Sequence, residues 1–189
     1  VAAKILAFAG SARRDSFNKK LVRVAARGAE QAGAEVTVID LADYPLPVYD
    51  GDLEEQGIPE NVGKLRELFK AHDGLLLACP EYNSSITPLL KNTIDWVSRP
   101  EGEDGMLAAY QGKVAALLAA SPGGLGGLRG LVTVRSILSN IGVVVLPKQH
   151  ALSKAHEAFE GDEIPDDRQR GAVEAIGAEL ANFLQRLES

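Results

Sequence analysis

The chain has 189 residues, 46% of them apolar and 24% charged, with a formal net charge of −6 at pH 7. That balance supports one packed core and argues against bulk disorder, and it disfavours nucleic acid as a partner, whose binding face is usually basic. A single cysteine, Cys79, excludes an internal disulfide and a cysteine-built zinc cluster.

Residues 4–9 form a short apolar run that ends at Gly10. Residues 16–32 follow with Leu21, Val24, Ala25 and Gly28 on one helical face. Residues 35–40 alternate through Glu35, Val36, Thr37 and Val38, the pattern of a half-exposed strand. A helix is predicted over 59–71, then a wholly apolar strand over 74–79, a helix over 86–98, a strand over 113–120 and a helix over 127–140. The fifth strand is predicted at 142–146. The last helix, over 166–187, carries Val173, Ile176, Leu180, Phe183, Leu184 and Leu187 at spacings of three and four.

Five β-α units in a row imply an α/β fold: a parallel sheet with helices on both faces. Runs 4–9, 75–79 and 114–120 are apolar throughout, as central parallel strands are, and the alternating second strand belongs at an edge. The expected strand order is 2-1-3-4-5, in a single domain over 1–189. Stretches 41–58 and 147–165 lack a regular pattern and are expected to be functional loops. No leader with a charged-then-apolar pattern and no membrane span is visible, so a cytoplasmic location is expected, with a residue or a short segment expected to be missing ahead of Val1.

In such a sheet, ligands bind beyond the carboxyl ends of the strands, at the switch in strand order. Three loops are therefore informative. The first offers Ser11, Arg13, Ser16 and Asn18 between a strand and a helix, with Gly10 at the turn. Hydroxyls, an amide, a guanidinium and a helix N-terminus together suit a phosphate. Ser16 alone reads equally as an N-cap, but a cap does not explain Ser11, Arg13 and Asn18. The loop is not a Walker P-loop, since GxxxxGK[ST] is absent. The middle loop offers Tyr82 for packing and Asn83 for polar contact. The third, residues 121–127, carries four glycines, which are expected to let the backbone approach a flat ligand. A phosphate cradle beside two loops able to hold a planar ring describes a flavin mononucleotide (FMN) site.

Other polar residues have plainer readings. His72, His150 and His156 show no metal-ligand spacing, and solvated or structural roles are expected. Cys79 reads as a small buried hydrophobe. Acidic residues in 50–60 and 157–167 read as solvated loop charge. Trp96 is expected in the core or at an oligomer contact. With Ile94 and Val97 it gives its helix more apolar surface than one face can bury, so a homo-oligomer is expected.

Residues 10–21, GSARRDSFNKKL, resemble the GSxRxxSxNxxL signature of NADPH-dependent FMN reductases. Residues 80–100, PEYNSSITPLLKNTIDWVSRP, resemble that family's PEYNxSxxxxLKNAIDWxSRP, and residues 121–129, SPGGLGGLR, resemble SPGGxGGxR. Residues 46–52, LPVYDGD, resemble the weaker LPxYxxD segment. Thr87-Pro88 departs from the Pro-Gly common there. The resemblance implies a flavodoxin-like three-layer sandwich and places this chain nearest the quinone and chromate reductase branch. It implies that Ser11, Arg13, Ser16 and Asn18 hold the FMN phosphate with Phe17 packed beside it. By the same likeness, Pro80, Glu81, Tyr82 and Asn83 contact the ribityl chain and ring, and Ser121, Gly123 and Gly124 line the ring's opposite side. It further implies hydride transfer from NADPH or NADH to FMN and on to a small acceptor, with no catalytic side chain. A homodimer or homotetramer is implied, with Asp95, Trp96 and Arg99 in a contact region. The rival readings are a flavodoxin-type electron carrier without nicotinamide turnover, a reductase that releases FMN as a substrate, and a ligand sensor that kept the fold.

Overall fold

A computed structural model describes residues 2–100 and 102–187 of the single domain expected over 1–189; residues 1, 101, 188 and 189 lie outside the described residues. Strands β1 (Lys4–Ala9) and β2 (Glu35–Val38) flank helix α1 (Phe17–Gln31). A 3-10 turn (Leu41–Asp43), α2 (Gly51–Glu55) and α3 (Glu60–Lys70) lead to β3 (Gly74–Ala78). A two-residue-per-strand hairpin, β4 (Glu81–Tyr82) and β5 (Ser85–Ile86), precedes α4 (Pro88–Val97). Then come β6 (Val114–Ala120), α5 (Leu128–Asn140), β7 (Val144–Leu152), α6 (Ala155–Ala158) and α7 (Asp167–Leu187).

The main sheet has the order β2-β1-β3-β6-β7, and every pair in it is parallel. Counting only these five strands, that is 2-1-3-4-5, the predicted flavodoxin-like order. Burial explains it: β3 and β6 are buried along their whole length and β1 all but its first residue, while β2 is part-exposed at every position. One face of the sheet packs on α1 and α7 through Ile5, Ala7, Leu76, Leu118, Leu21 and Leu180. The other packs on α3, α4 and α5 through Leu6, Phe8, Leu75, Leu117, Leu65 and Leu131. Helices α1 and α7 approach closely because Gly28 and Gly177 sit at their crossing. A methyl group on Gly28 would overlap the Glu174 carbonyl, and one on Gly177 the Ala25 carbonyl.

Two expectations for the long loops are corrected. The fifth strand runs to Leu152 rather than ending at 146, because a bulge absorbs Pro147. Ala115 pairs with Val145 and Leu117 with Gln149, so residues 146–148 stand opposite Ala116 alone. Proline is tolerated there because no ladder hydrogen bond requires its missing N–H. Arg135 bonds the carbonyl of Val145 at 3.2 Å and the side-chain oxygen of Gln149 at 2.9 Å, holding the bulge. The 41–58 stretch contains a helix capped by Asp50, whose carboxylate accepts from the Asp52 amide at 2.9 Å.

The surplus apolar surface expected on the helix of Ile94, Trp96 and Val97 is also not observed: all three are buried within the chain. Ile94 and Val97 pack into the core, and the 46–55 segment covers Trp96. Trp96 Nε1 donates to the Pro47 carbonyl at 2.8 Å, and Tyr49 meets the indole edge-on at 5.0 Å. Glu54, read as solvated charge, instead accepts from Arg99 Nε at 2.9 Å and from the Tyr49 hydroxyl at 2.8 Å. Those two bonds, Arg99 first, hold its carboxyl below the usual range. Asp95 pairs with Lys91. Trp96, Asp95 and Arg99 thus have partners inside the chain.

Candidate functional site

Because β1, β3 and β6 are neighbours, the loops after them open side by side on one sheet edge, at the switch in strand order. The Gly10 amide donates to the Ala78 carbonyl at 2.9 Å, so the first loop leaves the sheet beside the second. Thr87 fixes the same turn from the other side. Its hydroxyl donates to the Gly10 carbonyl at 2.7 Å and accepts from the Leu90 amide at 3.2 Å, capping α4. The Thr-Pro that departs from the family pattern is therefore an N-cap followed by proline at the first helical position, a signal readable from sequence.

The N-terminus of α1 is laid out for an anion. Ser16 occupies the N-cap position, yet its hydroxyl makes no capping bond, and no acidic residue lies in the first turn. The unpaired amides and positive end of the helix dipole face the loop that carries Ser11 and Arg13. Ser11 and Ser16 are buried beneath it, and Arg13 is exposed on it. Ser11 Oγ accepts from the Arg13 amide at 3.3 Å, which curls the turn. Phe17 stacks on Phe159, centroids 6.0 Å apart, and closes the side toward α6.

Two expected ligands have other partners. Asn18 is buried, and its carboxamide bonds both the carbonyl and the amide of Ala120, at 2.9 and 3.0 Å. Glu81 accepts from the amides of Arg129 and Gly130 at 2.9 and 3.1 Å and from Arg129 Nε at 3.0 Å. Its carboxylate caps α5, a helix that lacks an acidic first turn of its own. Neither partner was legible from sequence, since they lie 102 and 48 residues away.

The middle loop is a hairpin whose central residues, Asn83 (φ 50°) and Ser84 (φ 66°), are both left-handed. That is the type I′ geometry that matches strand twist. It presents Tyr82, half-exposed, beside Pro80 and Asn83. In the third loop the four glycines divide into two pairs. Gly126 and Gly127 have positive φ, and methyl groups there would stand 2.7 Å from the backbone of residues 152 and 153 and from Ala119 Cβ. Those two serve packing, which corrects the single role expected for all four. A methyl on Gly124 would meet nothing within 4 Å, and one on Gly123 only Ser121 Oγ at 3.6 Å. The amides of Gly123 and Gly124 make no hydrogen bond within the described residues. Ser121 and Gly123 are pinned from behind, their carbonyls accepting from the amides of Ala155 and Lys154 at 3.0 and 3.2 Å.

An uncommitted Ser16 hydroxyl and free amides at a helix N-terminus, with open glycine backbone two strands away, fit a ligand with a phosphate at one end and a flat polar ring at the other. FMN has that shape. Among the described residues no cluster of metal-ligating side chains occurs and no helix is long and apolar enough to cross a membrane. His72 is structural, its ring nitrogens bonded to the Leu68 carbonyl and the Thr37 hydroxyl at 2.6 and 2.8 Å.

A family model described as NADPH-dependent FMN reductase matches residues 3–157. An NAD(P)H-dependent FMN reductase of Pseudomonas aeruginosa is 34% identical over 186 residues, covering 97% of this chain and 96% of the relative. A quinone reductase of Pseudomonas putida is 31% identical over 177 residues, covering 93% and 91%. The solved structure of a flavoenzyme NAD(P)H:(acceptor) oxidoreductase from Paracoccus denitrificans superposes with a TM-score of 0.79 at 28% identity, over 97% of this chain and 98% of that one.

Proposed function

Since the chain belongs to the NADPH-dependent FMN reductase family, we propose that it is an FMN-dependent oxidoreductase that takes hydride from NADPH or NADH and passes the electrons to a small acceptor such as a quinone. The observation that carries this reading is the α1 N-terminus with its free Ser16 hydroxyl, set across the same sheet edge from the open Gly123-Gly124 backbone.

Bound FMN supplies the acceptance and return of hydride. The residues of this chain supply place and field. Ser11, Ser16, the first amides of α1 and the Arg13 guanidinium hold the phosphate. Pro80, Tyr82 and Asn83 form one wall of the ring site, and Ser121, Gly123 and Gly124 the other. The free amides of Gly123 and Gly124 are the donors available to stabilise negative charge on a reduced ring. Tyr82, half-exposed at the mouth, is placed to pack against an incoming nicotinamide or quinone. No side chain is assigned a catalytic role.

We extend the reading to a homodimer or homotetramer in the cytoplasm. What supports assembly is the exposed apolar group of Leu125, in the loop before α5, with Leu128 and Val132 in its first turns, rather than Trp96. Light scattering is expected to give a multiple of the 20.1 kDa chain mass, and a monomer mass refutes it.

The test of function is a visible spectrum of the purified protein with FMN, followed by anaerobic NADPH and then a quinone. A flavin spectrum that bleaches with NADPH and returns with quinone is expected. Bound flavin that neither nicotinamide reduces makes the protein a carrier instead, and failure to bind FMN at all overturns the assignment.

A further inference from the structure

We infer that Asn18 is a positioning residue, not a phosphate ligand: its carboxamide replaces a missing strand partner of Ala120 and locks the phosphate half of the site to the ring half. The inference rests on the FMN reading above. Its structural basis is the end of the β3–β6 ladder. The last rung there is the Cys79 amide donating to the Leu118 carbonyl at 2.8 Å. Beyond it the chain turns away at Pro80 into the β4–β5 hairpin. Ala120, two residues past Leu118 and facing the same neighbour, is left without a backbone partner on that side.

The Asn18 side chain fills this gap. A carboxamide carries the same donor and acceptor as a peptide group. Nδ2 donates to the Ala120 carbonyl at 2.9 Å, and Oδ1 accepts from the Ala120 amide at 3.0 Å. Asn18 is 4% exposed and Ala120 4% exposed, so neither backbone group has water as a substitute. Turning the carboxamide toward a phosphate would break both bonds and leave a buried amide and carbonyl unpaired, the expensive direction for a buried polar pair.

The position matters because of what each partner carries. Asn18 sits in the first turn of α1, next to Ser16 and Phe17. Ala120 directly precedes Ser121, whose loop is held on its far side by Ala155 and Lys154. With Asn18 in place, the ring wall is gripped from both sides and its distance from the phosphate cradle is set. Loss of the tie therefore disturbs the whole ligand, whereas loss of a phosphate contact disturbs only one end.

Calorimetric titration of Asn18→Ala with FMN and with riboflavin separates these roles. Both affinities are expected to fall by a common factor, roughly tenfold or more, so their ratio stays at the wild-type value. A loss confined to FMN, or no loss with either flavin, overturns the inference. Should the variant not fold, the wild-type protein carries the test through its NMR spectrum. The Ala120 amide is expected to exchange slowly in the free protein and in both flavin complexes, and the Asn18 side-chain amide to resonate alike in the two complexes. Lost protection at Ala120 on adding FMN, or an Asn18 shift that depends on the phosphate, overturns it. Failure of the wild type to bind either flavin would instead sink the FMN reading, with Ala120 protection in the free protein still testing the tie.

Discussion

Arg13 is an exposed cation on the turn above a helix N-terminus whose Ser16 makes no capping bond, a position suited to an anion. FMN and riboflavin share the ring and ribityl chain, and only FMN carries the phosphate. Arg13→Ala is therefore expected to weaken FMN binding by about one to two decades, the equivalent of roughly 1.5–3 kcal/mol for a hydrogen bond to a charged group. Riboflavin binding is expected to stay near the wild-type value. Calorimetry with both ligands checks this, and equal losses remove Arg13 from the phosphate site. The residue types of the first loop were legible in the sequence because a strand, a turn and a helix start must meet there whatever lies downstream. The roles of Asn18 and Glu81 were not. Each side chain is polar and was expected to contact the ligand, but each is bound to backbone brought in by the sheet. Residue type and spacing carry no record of such long-range partners.

At the scale of elements, the third loop joins two kinds of glycine that composition cannot distinguish. Gly126, at φ 62°, is pressed against the backbone of residues 151–153, while Gly124 faces open space. Gly126→Ala is expected to destabilise the protein by more than about 2 kcal/mol, since left-handed backbone alone costs a side-chain-bearing residue about 1–2 kcal/mol and the close contact adds to it. Gly124→Ala is expected to leave the melting temperature within a degree or two, on the order of the ±0.5 kcal/mol usual for surface changes. It should still weaken FMN binding, because the added methyl enters the space assigned to the ring. Thermal unfolding paired with flavin titration reads both, and a Gly124 variant that binds FMN as tightly as wild type denies that loop its place against the ligand. The five long helices and the central strands were legible to within a residue or two, as long periodic or wholly apolar runs are, whereas the short α2 and α6 were hidden in stretches read as loops. The β4–β5 hairpin was not, because its turn is Asn83-Ser84 with no glycine to mark the positive φ angles. The extension of β7 was hidden by Pro147, which reads as a strand end until a bulge is known to hold it.

Across the whole molecule, the sheet half-buries one imidazole, His150, whose Nε2 atom is buried without a hydrogen-bond partner among the described residues. His150 lies on β7, and burial first, then the nearby Lys148 charge, holds its pKa below the ordinary value. The folded chain thus keeps His150 neutral at a pH where the unfolded chain would protonate it. Between the depressed native pKa and the unfolded value near 6.5, the unfolded state binds more protons, so stability rises with pH and falls on acidification. The melting temperature of the wild type is expected to decline as pH drops through about 6.5, and His150→Gln to flatten that decline. Parallel slopes for the two proteins from pH 7 to pH 5 would remove His150 as the cause. The class and strand order were readable for the whole chain because they depend on the repeated alternation of buried strands and amphipathic helices. The closure of the 46–55 segment over Trp96 was not, because it depends on Asn92, Arg99 and Trp96 reaching a stretch with no periodicity of its own.

Cys79 directly follows β3, beneath the loop that carries Tyr82, fully buried, and burial pushes its thiol pKa up to about 12. Quinones, the acceptor class proposed here, are Michael electrophiles that arylate thiolates, and reduced flavins exposed to air release peroxide that oxidises them. An accessible thiolate at this position would be consumed by the enzyme's own traffic. The chain's one sulfhydryl is shielded from both hazards, being neutral up to strongly alkaline pH and walled in by the core. Intact-mass spectra after thousands of aerobic turnovers with a quinone should show no adduct and no added oxygen at Cys79, whereas the same quinone added to the protein in denaturant should arylate it. Self-inactivation through this thiol would then be a hazard only for molecules that have already unfolded.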